Sequence, residues 1–200
     1  MEPRWPCEPF VKAMCPDQTF LLYIDEELSK AWCIMRNFCT TIKLAAKGGM
    51  KLTERTLLDI MSSVMYRLLH MKLSIGSLDE AIRLGLLIFC SDIFLQWEGA
   101  RSAYLHLSVA YRNCLGSLEL IGCTPPNLMI WLLTVAAISI DVEEDQRWLM
   151  PHLLHTLKRS DIRTWDDAHD KLSAFLWIDW VFNVRAKALF DPVFLSSNSS

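Results

Sequence analysis

The chain is 200 residues long and 52% hydrophobic, with a formal net charge of -3. That length suits one domain and buries about 70% of the unfolded surface, while the apolar content excludes disorder over most of it. The acidic balance, with no Lys/Arg block anywhere, excludes the clustered basic face of a nucleic-acid-binding surface.

Apolar residues recur at spacings of three and four, and helix punctuation is frequent, so the class is all-α. Residues 1–16, broken by Pro3, Pro6, Pro9 and Pro16, are expected to form an extended arm ahead of a single helical domain over 17–193. A first helix is expected from Thr19 to Lys47, stopped by Gly48 and Gly49. A second follows Thr53 and runs to Met71, with Leu57, Ile60, Met61, Val64, Leu68 and Met71 on one side. A third opens at Ser77, where S-L-D-E matches a capping box with Glu80 reaching back to the cap, and continues to Trp97. A fourth spans Ser102 to Leu120, and Leu128 to Ile140 supplies the fifth. A sixth starts at Asp141 with acids suited to the positive end of a helix dipole, and Pro151 inside it predicts a kink or restart. Thr164 with Asp167 is a second capping box, opening a helix that carries AHDKLSAFLWIDWVF. A short piece over Ala186 to Phe190 precedes a tail, 194–200, expected to be disordered.

Between Leu120 and Ile140 the chain carries no charge. A membrane span needs about 20 continuous apolar residues, and Pro125, Pro126 and Asn127 leave only the run from Leu128 to Ile140. The N-terminus lacks an unbroken apolar stretch of the signal-peptide kind. The chain therefore reads as soluble and intracellular, with no membrane association. A helix apolar on every face must be enclosed by others, so 128–140 is expected to be the buried centre of an irregular bundle of about seven helices. Small residues there, Ala136, Ala137 and Ser139, let neighbours approach closely, and Trp131 is large enough to fill or line a cavity. Seven cysteines (Cys7, Cys15, Cys33, Cys39, Cys90, Cys114 and Cys123) are irregularly spaced without a C-x-x-C pair. They read as reduced thiols, several of them packed as small hydrophobes.

The segments RLGLLIFCSDIF (83–94), NLMIWLLTVAAISI (127–140), DQRWL (145–149) and KLSAFLWIDWVFNVRAKALFD (171–191) resemble, in order and spacing, the carboxy-terminal part of fungus-specific transcription factor domains. In that family an all-helical regulatory region follows an N-terminal binuclear zinc cluster that reads DNA. The zinc cluster is absent here. Its six thiolates would need C-x-x-C pairs, whereas Cys7 and Cys15 are separated by seven residues and Cys33 and Cys39 by five. The resemblance thus implies a nuclear regulatory or effector domain, part of a longer regulator or acting alone, that works by sensing a small-molecule effector or by contacting a protein partner or a second copy of itself. No cofactor and no direct, specific binding to duplex DNA is expected, even at low salt, where counterion release most favours it.

Candidate pocket or interface residues are Trp131, Trp148, Trp177, Asp179 and Trp180, although aromatic residues in helical stripes are ordinarily plain core. On the helix opened at Thr164, Leu172, Leu176 and Trp180 form an inward i, i+4 ridge. Trp177 and Phe182 are then left outside as an interface within Phe175 to Phe190. Asp179, in an apolar run, either faces water or is paired by Arg185 or Arg147. Asp166 to Asp170, DDAHD, fits D-D-x-x-D, by which helical isoprenoid synthases hold magnesium and a diphosphate, and a magnesium-dependent enzyme of that kind is the alternative. A second metal-binding motif is lacking, and acids at a helix start are favoured without any metal. His152 and His155, with His169 as a third, have a spacing that admits zinc, but no Glu general base follows the first. With no nucleophile elbow, phosphate loop or dinucleotide fingerprint, the sequence reads as non-enzymatic.

Overall fold

Local capping chemistry explains where most helices begin in this computed structural model, which describes residues 16–48, 53–94, 104–121, 124–140 and 143–197. Among the described residues, eight α-helices follow a short 3-10 turn over Pro16–Leu22: α1 (Glu26–Ala46), α2 (Glu54–His70), α3 (Leu78–Phe94), α4 (Tyr104–Ile121), α5 (Pro126–Ser139), α6 (Glu143–Arg159), α7 (Trp165–Ser173) and α8 (Asp179–Ser197). No strand occurs among the described residues, and none of these helices is long and apolar enough to cross a membrane.

The first helix starts later than its periodicity predicts. Asp25 is its N-cap, its carboxylate accepting from the N–H groups of Glu27 (2.9 Å) and Leu28 (3.1 Å), which satisfies donors the helix leaves free. Thr53 caps α2 by accepting from Thr56 N–H, and the predicted inward side of α2 is realised, with Met61, Val64 and Leu68 buried. Only half of the box predicted at Ser77 forms. Ser77 Oγ accepts from Glu80 N–H, but the Glu80 carboxylate turns to Arg83, whose guanidinium also donates to the Leu68 carbonyl at 2.9 Å. The end of α2 is thereby tied to α3. At Thr164 both halves of the box are present, and the Thr164 hydroxyl with nearby backbone donors holds the Asp167 carboxyl below its usual value. α6 continues through Pro151 without restarting. The expected short piece at Ala186 to Phe190 is the middle of α8, which runs on to Ser197 into the stretch read as tail. The predicted arm, apart from Pro16, lies outside the described residues.

The charge-free run is the centre of the molecule. Every side chain from Leu128 to Ala137 is buried, and α5 packs against α3, α4, α6, α7 and α8. Gly85 lets α3 come close to it: a Cβ there would stand 2.9 Å from the Tyr111 hydroxyl, 3.0 Å from Leu132 and 3.3 Å from Trp131. Tyr111 in turn donates to the Leu132 carbonyl at 3.0 Å, joining α4 to α5.

The described cysteines are free thiols, Cys39, Cys90 and Cys114 buried and Cys33 half-buried. Burial pushes Cys39 up to about 12 and Cys114 up to about 11, and raises Cys90 as well. Only the thiolate is nucleophilic. With iodoacetamide at pH 8 the native chain is expected to be alkylated at Cys33 first among these four, with the other three reacting only at the rate of unfolding. Rapid native labelling of Cys90, read by peptide mass spectrometry, would contradict this packing.

Candidate functional site

The segment joining α7 to α8 decides which aromatic side chains are available. Phe175, Leu176, Trp177 and Ile178 are consecutive and all buried. On a helix, successive residues step round by about 100°, so no single face buries four in a row, and the chain leaves the helix after Ser173. The released carbonyls find side-chain donors: the Gln18 amide donates to Ala174 O at 2.9 Å, and the Trp131 indole N–H to Leu176 O at 2.8 Å. Gln18, itself buried, also accepts from Arg36.

Helix α8 then starts afresh at Asp179, which resets the register and reverses the predicted roles of two tryptophans. Trp177 is 0% exposed, its ring 5.2 Å from that of Phe182 and its indole N–H donating to Asn183 Oδ1 at 2.7 Å. Phe182, also expected outside, is buried against Phe89 with centroids 5.0 Å apart. Trp180, expected in the core, is 56% exposed, and Val184 one turn on is 81% exposed. With exposed Ala188 a further turn along, these residues form an i, i+4, i+8 row on the outer face of α8.

Asp179 is half-buried in the first turn of α8, where a carboxylate suits the helix dipole, and its oxygen lies 3.1 Å from His169 Nε2. Neither predicted arginine is its partner. Arg185 instead pairs with Asp92 at 3.1 Å, donates to the Ile138 carbonyl, and lies 5.7 Å from the Phe182 ring centroid. Asp92 also accepts from Ser139 Oγ at 2.6 Å, so α3, α5 and α8 meet in one half-buried polar knot. Spacing gave no signal for it, because its members lie 46 or more positions apart.

Trp131 lies at the middle of the aromatic core, 4.9 Å from Trp32 and 6.0 Å from Phe89. Trp148 is half-buried on α6, its ring 4.5 Å from that of His152. Of the five candidates, the fold brings Trp131 and Trp177 into one aromatic cluster and leaves Trp180 on the opposite side of α8. Asp166, Asp167 and Asp170 are exposed at the start of α7, with Asp167 engaged in its cap. These three carboxylates thus point to the outside at a helix start rather than line a cavity among the described residues. His169 pairs with Asp179 rather than joining His152 and His155, and among the described residues no three His, Cys, Asp or Glu side chains group as metal ligands. No protein-family model, curated protein or solved structure matches the chain.

Proposed function

We propose that this chain is a non-enzymatic regulatory domain of the fungal transcription factor kind, nuclear and without its own DNA-reading part, that acts by association through the outer face of α8. The observation that supports this is the row Trp180, Val184 and Ala188, exposed within 175–190, where Phe175, Trp177, Phe182 and Phe190 are buried. An exposed tryptophan heading a helical stripe is the side chain most often found at the centre of a protein contact.

The occupant proposed for this face is a second copy of the chain. In an antiparallel pair related by a two-fold axis, Val184 meets Val184 while Trp180 of each copy faces Ala188 of the other. Large against small is the complementarity that close helix packing requires. The test is a reporter assay in a fungal host with the chain fused to a heterologous DNA-binding domain, alongside sedimentation of the purified chain. A several-fold change in transcription and a dimer are expected, both lost in Trp180→Ala with the melting temperature retained. A silent fusion overturns the regulatory role, and a Trp180→Ala chain that still dimerises removes α8 as the interface.

A further inference from the structure

An open cleft of about 210 Å³ lies away from the α8 face, between the end of α4, the start of α5 and the second half of α6. His152, His155, Thr156 and Arg159 line it from α6. They stand at positions i, i+3, i+4 and i+7, which is one helical face. Arg159 and His155 are exposed, and no described residue bonds the Arg159 guanidinium. The rest of the lining is Leu118, Thr124, Pro126 and Met129, apolar except for the Thr124 hydroxyl. Pro126 and Met129 belong to the first turn of α5, whose N-cap residue is Pro125 and offers no capping side chain.

We infer that this cleft binds a small organic acid, its carboxylate held by Arg159 with the two imidazoles alongside, and its apolar body against Leu118, Pro126 and Met129. Four features lead to this class. The basic side chains stand together on one wall, and the Arg159 guanidinium is a donor of the kind that carboxylates accept in two-pronged fashion. Among the described residues, no acidic side chain lines the cleft. At about 30 Å³ per water the space holds about seven waters, which suits a compact acid rather than a dinucleotide or a peptide. The apolar wall favours a ligand with a hydrocarbon body over an inorganic anion. The proposal does not depend on the α8 interface, since the two sites share no residue.

The test is a titration of the isotope-labelled full chain with benzoate by two-dimensional NMR, in parallel with benzyl alcohol, inorganic phosphate and the Arg159→Ala variant. Expected are saturable shifts with benzoate, centred on Thr124, Met129 and His155, and no saturation with the neutral alcohol. Arg159→Ala should weaken binding about tenfold or more with an unchanged melting temperature, because this exposed side chain holds no part of the fold. Arg159→Lys, which keeps the charge but not the fork, should fall between the two. Absence of saturable binding, equal binding to Arg159→Ala, or equal response to benzyl alcohol overturns the site. Phosphate binding as tightly as benzoate overturns the organic-acid assignment.

Discussion

Ala136→Asp is expected to abolish soluble expression of the chain. Ala136 is 0% exposed in the middle of α5, with buried Val135 and Ala137 on either side. A carboxylate there has no water, and α5 is enclosed by five other helices. Arg185, which reaches the end of this helix, is already bonded to Asp92 and to the Ile138 carbonyl. An unpaired buried charge costs several kcal/mol, a large share of the roughly 5–15 kcal/mol that holds a domain folded. Ala136→Ser, smaller in both volume and polarity, should express with a lowered melting temperature. Normal yield and melting of Ala136→Asp, measured on the soluble fraction, would show that α5 is not the enclosed centre.

Trp177→Ala should destabilise the chain by about 3–5 kcal/mol, as full truncations of buried aromatic side chains do. It empties space beside Phe182 and leaves Asn183 without the indole donor it now accepts from. Trp180→Ala should cost the monomer within about 0.5 kcal/mol, the usual range for an exposed position, when unfolding is followed at a concentration low enough to exclude a dimer. Urea unfolding followed by circular dichroism separates the two. The comparison is sharp because a helix unbroken from α7 through α8 would give the opposite order, with Trp180 inside and Trp177 outside. Trp177→Phe keeps one six-membered ring and deletes the other ring of the indole with its N–H, so a loss smaller than that of Trp177→Ala is expected. Equal costs for Trp177→Ala and Trp180→Ala would contradict the break at 174–178.

The sequence by itself determined the helical class, the helix start after Thr53, the cap at Thr164, the inward side of α2 and the central helix. Each follows from information local to one element. Leu128 to Ile140 has no polar face to turn to water, so it must be enclosed whatever surrounds it. Thr164 and Asp167 stand three apart, and their reciprocal hydrogen bonds need no other part of the chain. Only the tertiary structure decided what happens at Ala174 to Ile178, where no glycine or proline marks an end. Helix propensity there favours continuation, but continuation would turn some of Phe175, Leu176, Trp177 and Ile178 away from the core. Burying all four, with Gln18 and Trp131 bonding the freed carbonyls, outweighs one turn of helix. Because those two donors lie 156 and 45 positions away from the carbonyls they satisfy, the register of α8 was not legible locally. Nor, for the same reason, was the side of α8 that Trp180 presents, or a cleft whose walls come from three helices.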